Sequence, residues 1–165
     1  MLKITQQELK ELLHYDPLTG VFIWKINRGG GVKAGEIAGS KAKVGYWSIT
    51  LFNKGYYAHR LAWLYMTGKL PDKFIDHIDR NKLNNIWTNL REATEKESVH
   101  NTGLSKKNKS GVKGVYWNKN ANKWQATLWI DNKPKYLGLF DSLNEAKIVI
   151  ETTRQLYHKE FACNG

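Results

Sequence analysis

One break in composition constrains this 165-residue chain more than any other feature. Residues 101–114 read NTGLSKKNKSGVKG, a polar, basic, glycine-containing run without a large aromatic side chain. Such a run joins modules more readily than it fills a core, although an ordinary surface loop has the same look. Its lysines also suit a phosphate backbone. Taken as a linker over residues 102–112, it leaves regions 1–101 and 113–165. Each has the size of a small domain, and a large multidomain enzyme is excluded. No tandem repeat relates the two.

Apolar residues make up 41% of the chain and charged residues 25%, with seven Trp and eight Tyr, which excludes wholesale disorder. The apolar run 61–66 is far too short to span a bilayer, and no basic-then-apolar leader points to secretion. A single cysteine, Cys163, excludes a disulfide framework and a Cys-rich zinc site. Lys and Arg number 26 against 15 acidic residues, a net +11. The positive charge is denser downstream: residues 1–101 carry +5 and the shorter 102–165 carry +6. Beside so many aromatics, this charge points to nucleic acid rather than to solubility alone.

The pattern predicts an α+β chain. Thr5 and Glu8 box the start of a short amphipathic helix over 5–14, with Leu9, Leu12 and Leu13 on one side. Residues 16–20 (DPLTG) are a turn before a strand, VFIWKI. Residues 46–52 and 56–58 read as a hairpin around 53–55, and 59–67 as a helix stopped by Gly68 and Pro71. Downstream, 113–117, Lys123–Ile130 and 135–140 are strands joined by turns at 118–122 and 131–133. Ser142 and Glu145 box a helix running to about Lys159, with Ala146, Val149, Ile150, Thr153 and Tyr157 on its stripe. A three-stranded antiparallel sheet needs such a helix on one face. The other face stays free.

The densest polar cluster is 74–101, FIDHIDRNKLNNIWTNLREATEKESVHN. A short strand ends in Asp76 and His77, residues 79–89 form a loop with Asn at 81, 84, 85 and 89, and Leu90–Ala93 returns as a second strand. Thr94 and Glu97 then cap and box a short helix. Without further context Asp76 is a turn residue and His77 a buried imidazole. The order Asp-His, Asn-rich loop, Asn-Leu-Arg and capped helix, with AHRLAWLY and YDPLTGVFIW upstream, resembles the HNH family of nucleases and its ββα-metal fold. The likeness covers most of residues 1–101. It implies that His77 is the general base, that Asp76 binds one divalent ion per active site, Mg²⁺ or Mn²⁺, and that Asn89 braces the loop and helps orient the histidine. The chemistry suits the residue types. A neutral imidazole accepts a proton from water near neutral pH, and a hard cation relieves charge on the phosphate and leaving oxygen.

The family's second metal ligand, an Asn or His on the short helix, falls here on Ser98, whose hydroxyl is a poorer Mg²⁺ ligand. Three outcomes stay open: Ser98 binds through a bridging water, Asn101 on the same helical face substitutes, or metal binding and cleavage are impaired. Asn101 also matches a further Asn of the family with a structural or substrate-side role, whereas His100 points elsewhere. The resemblance extends to His59, expected to pack the ββα unit on the N-terminal region rather than to touch substrate. Arg60, Arg80 and Arg91 have guanidinium forks that match phosphate oxygens, or are solvated surface arginines.

The stretch GVKGVYWNKNANKWQATLWIDNKPKYLGLF with the following SLNEAK helix resembles the plant ethylene-response-factor type of DNA-binding domain, over about 111–162. The marks are Gly-Val near the first strand, Lys-Trp-x-Ala in the second, Leu-Gly-x-Phe in the third and Glu-Ala at the helix start. Alternation puts Trp124, Ala126, Leu128 and Ile130 toward the helix and Lys123, Gln125, Thr127 and Trp129 on the other face. A DNA-facing sheet would set Lys113 and Lys123 on phosphate, Gln125 on adenine and Trp129 on a sugar or thymine methyl. The family carries charged residues where Thr127 and Trp129 stand, so its base preferences do not transfer. A domain contact is the other use of such a face.

The sequence therefore reads as an N-terminal HNH ββα-metal nuclease region with extra hairpins and helices over 1–101 (core about 74–101). A basic linker over 102–112 leads to a three-stranded antiparallel sheet packed on one helix over 113–165. This layout resembles phage and mobile-element homing endonucleases, in which an appended reader aims a weak cutter. It implies hydrolysis of a phosphodiester in double-stranded DNA, one strand nicked per protomer, by a monomer or DNA-templated dimer. No membrane and no small-molecule cofactor enter, and the location is cytoplasmic, in a bacterial host cell if phage-encoded. The rival is a DNA-binding regulator or nuclease remnant whose cleavage Ser98 has impaired. An RNA-binding module would need an RNA-recognition motif, and none is present.

Overall fold

Local capping and strand alternation decide most elements of the computed structural model of this chain, which describes residues 4–131 and 133–164. Helices and small sheets are mixed, and the chain divides into two compact units, Met1–Ala93 and Thr94–Gly165. That division falls ahead of the basic run where composition changes.

In the first unit, α1 (Gln6–Leu12) starts at the Thr5–Glu8 capping box, where Thr5 Oγ1 accepts from the Glu8 amide at 3.2 Å and the Glu8 carboxylate accepts from the Thr5 amide at 2.8 Å. The helix stops short of the expected residue 14 because Leu13–Tyr15 forms a strand, β1, antiparallel to β2 (Phe22–Trp24). Leu13 and Tyr15 point into the core and His14 points out, a period of two hidden inside an apparently helical run. A second sheet has the order β3-β4-β5, from β3 (Ser40–Lys41), β4 (Trp47–Leu51) and β5 (Lys54–Tyr57). The β4–β5 turn is Phe52-Asn53, with φ +49° and +60°, rather than 53–55. Two positive φ values make the hairpin turn that matches strand twist. Helix α2 (Ala58–Thr67) buries Ala58, His59, Leu61, Ala62 and Leu64 and ends at Gly68. Strands β6 (Phe74–His77) and β7 (Leu90–Ala93) pair antiparallel, with Asp76 opposite Arg91 and His77 opposite Leu90. The core of this unit gathers Leu9, Leu13, Tyr15, Phe22, Ile49 and Leu61.

In the second unit, α3 (Glu95–His100) begins at the Thr94–Glu97 capping box. The sheet order is β10-β9-β8, from β8 (Val115–Asn118), β9 (Lys123–Ile130) and β10 (Lys133–Phe140), and α4 (Leu143–His158) packs on β9. Val112, Val115, Ala126, Ala146 and Ile150 form the core. Gly114 lies at φ +79°, where a Cβ would meet Thr127 O at 2.7 Å and Ile150 Cδ1 at 2.6 Å, so the close approach of chain and helix requires glycine there. Part of the turn expected at 131–133, Asn132, lies outside the described residues. Three details correct the sequence reading. Ser142 accepts from the Asn144 amide at 3.1 Å rather than forming a box with Glu145. The buried stripe of α4 is Ala146, Ile150, Arg154 and His158, while Tyr157 is exposed. Arg154 tolerates burial because its guanidinium donates to Lys113 O and Asn164 Oδ1, both at 2.6 Å. The 102–112 segment is more than a tether. Asn108 Nδ2 donates to Val112 O at 2.9 Å, and the Ser110 hydroxyl donates to Val115 O at 2.7 Å. Among the described residues no helix is long and apolar enough to cross a membrane.

Candidate active site

Asp76 and His77 end strand β6 side by side, and both are buried, at 8% and 4% exposure. The β6–β7 register places Arg91 across from Asp76, where Nε and Nη2 both reach Oδ2, at 3.0 and 2.9 Å. This largely buried ion pair holds the carboxylate in one orientation. His77 Nε2 lies 3.3 Å from Asn85 Oδ1, and Asn85 Nδ2 donates to Leu83 O at 3.2 Å. A carbonyl only accepts, so the Leu83 hydrogen bond fixes which way the Asn85 amide points. Its oxygen therefore faces the imidazole and accepts from Nε2–H in the tautomer that carries the proton there. Burial pushes the His77 pKa below its ordinary value, opposed by the Asn85 hydrogen bond and by the Asp79 and Asp76 charges. Burial thus favours the neutral imidazole.

The loop between the strands is held from three sides. Asn89, nearly buried, donates through Nδ2 to Asp79 Oδ1 at 2.9 Å and Asn84 O at 2.8 Å, and its Oδ1 accepts from the Asp79 amide at 3.0 Å. Burial alone would raise Asp79, but hydrogen bonds from Asn84, the Asn81 amide and Asn89 keep its carboxyl below the usual range. The β1–β2 hairpin supplies the second support. Tyr15 donates its phenol to Asn85 O at 2.7 Å, Trp87 N donates to Pro17 O at 3.0 Å, and Gly20, at φ +73°, lies so close to Asn85 that a Cβ there would overlap its carbonyl carbon. The third support is α2, whose Trp63 packs on Trp87 with ring centroids 5.1 Å apart.

Behind His77 stands an aromatic wall. His59, 6% exposed, meets His77 edge-on at 5.2 Å, Tyr46 at 4.9 Å and Tyr57 at 5.6 Å. Burial, then the His77 and Arg60 charges, hold the His59 pKa down to about 3. Its Nδ1 is buried without a hydrogen-bond partner among the described residues. Lys82 lies over the Tyr46 ring, 4.6 Å from its centroid.

The structure distributes the remaining expected residues unevenly. Arg91, which the sequence offers as a phosphate clamp or a solvated arginine, pairs with Asp76. Arg60 is half-buried and donates to Pro71 O at 3.1 Å, whereas Arg80 is exposed in the loop at φ +65°. Ser98 and Asn101 belong to α3 and its C-cap in the second unit, Ser98 half-buried and Asn101 at 7% exposure. Lys113, read as a phosphate contact, donates its ammonium to His100 O at 3.0 Å and to Thr102 O, so it ties down the end of α3. The His100 ring stacks on His158 at 3.7 Å and 1°. Lys123 pairs with Asp141 at 3.0 Å on the surface. Gln125 receives the Asn118 amide at 2.8 Å and lies in line with Thr127 and the 60%-exposed Trp129. The reading of sequence missed Asn85, Tyr15, Gly20 and Tyr46 as parts of the site. Four asparagines in one loop advertise a polar cradle, but nothing in their spacing selects the one that reaches the imidazole.

No three His, Cys, Asp or Glu side chains among the described residues would hold a metal ion by themselves. A hard divalent cation shared with a phosphate needs only one or two protein oxygens. Asp76 offers a preoriented carboxylate, an oxygen donor that fits Mg²⁺ or Mn²⁺ and not a thiolate-seeking metal.

Residues 56–100, from β5 through α3, match the family model described as HNH endonuclease. The chain is 36% identical over 116 residues to Protein 3.8 of Escherichia phage T7, covering 70% of this chain and 95% of that protein. It is 46% identical over 59 residues to an uncharacterized HNH endonuclease, L560, of Acanthamoeba polyphaga mimivirus, covering 34% of this chain and 31% of that one. A solved structure of DNA binding and cleavage by the HNH homing endonuclease I-HmuI superposes with a TM-score of 0.41 and 27% identity, over 75% of this chain and 70% of the other. So loose a superposition carries no argument about this fold. The near-complete coverage of the phage relative and the match across the Asp76–His77 strand, its loop and the capped helix lead to one conclusion: the chain belongs to the HNH endonuclease family.

Proposed function

We propose that this nuclease hydrolyses phosphodiester bonds in double-stranded DNA, with His77 as general base, and nicks one strand per protomer. The observation that carries this reading is the buried imidazole beside the Asp76 carboxylate, held by Asn85 Oδ1 3.3 Å from Nε2 and kept neutral by burial, the form that can take a proton from water. As the water oxygen attacks phosphorus, His77 becomes an imidazolium. The Asn85 amide oxygen and the nearby Asp79 and Asp76 carboxylates stabilise that positive charge. Arg91 keeps Asp76 turned, and Asn89 keeps the loop from collapsing onto the base. A divalent ion, Mg²⁺ or Mn²⁺, one per site and held by Asp76 with Ser98 or Asn101, would neutralise the phosphate and the departing oxygen.

The sheet over 113–165, similar in layout to ethylene-response-factor domains, serves as the reader. Gln125, Thr127 and Trp129 face bases or sugars and Lys123 faces phosphate, while Arg60 and Arg80 hold phosphate near the site. A phage-like setting makes the cytoplasm of a bacterial host the place of action, with the chain a monomer or a dimer assembled on DNA. The test is supercoiled plasmid incubated with Mg²⁺ or Mn²⁺. Wild-type protein should convert it to open circles, and His77→Ala should lower the rate at least about 100-fold. Ser98→Asn should raise it. Tight binding with no nicking in the wild type, and nicking regained in Ser98→Asn, would establish the rival reading of a DNA-binding remnant.

A further inference from the structure

The edge strand β8 and the segment before it enclose a groove of about 310 Å³ that has no part in the site above. Its floor and walls are Tyr116, Trp117 and Trp124, with Lys107, Lys109 and Lys119 around the rim. The Trp117 and Trp124 rings meet edge to face at 5.1 Å, and Trp117 keeps 42% of its surface open to solvent. The three rim lysines have no carboxylate partner among the described residues, and no acidic side chain lines the groove.

The basic rim is built rather than loose. Asn108 Oδ1 accepts from the Gly111 amide at 2.8 Å, and the Asn108 amide donates to Ser105 O at 2.8 Å. The Ser110 hydroxyl donates to Val115 O at 2.7 Å, which ties the rim to the start of β8. The backbone that carries Lys107 and Lys109 is therefore held beside an aromatic floor. A ligand that fits carries negative charge at one end and a flat apolar face at the other. A nucleotide has both. Duplex DNA presents phosphates to such a rim but keeps its bases stacked inside, out of reach of a concave floor. An unpaired base in a single strand can enter, stack on indole and leave its flanking phosphates among the lysines.

We infer that this groove binds an unpaired nucleotide of single-stranded DNA, a site distinct from the Asp76–His77 centre and built on the Trp117–Trp124 pair at the edge strand, with Tyr116 alone shared with the Gln125 face. It gives a DNA-processing protein a hold on a frayed, melted or displaced strand. The test is fluorescence anisotropy of a labelled dT decamer with the full chain and EDTA, so that cleavage plays no part in the readout. Blunt duplex, dTMP and a rU decamer serve as competitors. Trp117→Leu should weaken dT binding about tenfold and leave duplex binding unchanged. Lys107→Gln with Lys109→Gln, two exposed changes that do not threaten folding, should reduce the salt dependence of log K by roughly 0.7 for each phosphate these lysines neutralise. Three results would overturn the inference: equal weakening of single-strand and duplex binding in Trp117→Leu, unchanged binding in both sets of variants, or competition by dTMP or the rU strand at least as strong as by dT itself. Because no arm measures nicking, a failure here leaves the endonuclease reading standing, and the reverse also holds.

Discussion

The β6–β7 hairpin and the β8–β10 sheet handle their polar side chains in opposite ways. In the hairpin Asp76, His77, Asn85 and Asn89 are all buried to 9% exposure or less, and each has a named partner. In the sheet Gln125 and Thr127 are half-buried and Trp129 is 60% exposed. A buried polar group without its partner costs free energy, so the hairpin geometry is determined by its own stability. An exposed group exchanges protein partners for water at little cost, and its position is free to serve a ligand. Catalytic precision suits the first regime and an adaptable binding face suits the second.

The sharpest way to break this comparison is Arg91→Met. Removing one partner of a buried ion pair should cost about 3 kcal/mol in denaturant unfolding. A variant as stable as wild type would show that Asp76 does not depend on its guanidinium. Acid should reveal the hairpin's second signature. The unfolded chain protonates His59 near 6.5, whereas the folded chain resists until about 3, so stability is full above pH ~6.5 and falls with acid through that window, by up to about 1.4 kcal/mol per pH unit. His59→Phe should lose this part of the slope in melts at pH 7, 5.5 and 4, and parallel curves for the two proteins would refute it.

Smaller effects sharpen the second region. Lys113→Met should lower stability by about 1–2 kcal/mol because the carbonyls at the end of α3 lose their ammonium donor, while the salt slope of duplex binding stays the same. A slope reduced by about one would instead put Lys113 on phosphate when DNA is bound. Lys123→Gln is expected to change stability by no more than about 0.5 kcal/mol, since its pair with Asp141 is exposed. Its duplex binding should nevertheless lose about 0.9 of salt slope if this lysine meets phosphate.

Much of the site was legible because its signals are local. The Thr5–Glu8 and Thr94–Glu97 boxes name their own helix starts, and the strand over Lys123–Ile130 alternates cleanly enough to sort Ala126 and Leu128 from Trp129. The Asp76-His77 pair ahead of an Asn-rich loop and a capped helix announced the family. Less legible were Leu13–Tyr15, whose alternation lies inside a helix-like run, and Arg154, which sits four residues past Ile150 on the buried stripe although its charge argues for the surface. Arg91 and Lys113 share the same difficulty. Which oxygens Arg91 and Lys113 reach depends on the fold and not on spacing in the sequence.

By itself, then, the order of residues determined where helices begin, which strand faces are apolar and which segment carries an acid–imidazole pair, because capping and alternation act over a few neighbouring positions. Tertiary structure alone decided that Asn85 rather than Asn89 meets His77, that Tyr15 and Gly20 brace the loop from some 70 residues away, and that Arg91 turns Asp76. Those choices depend on which buried groups find partners, and partners distant in sequence are brought together only when the core closes around them.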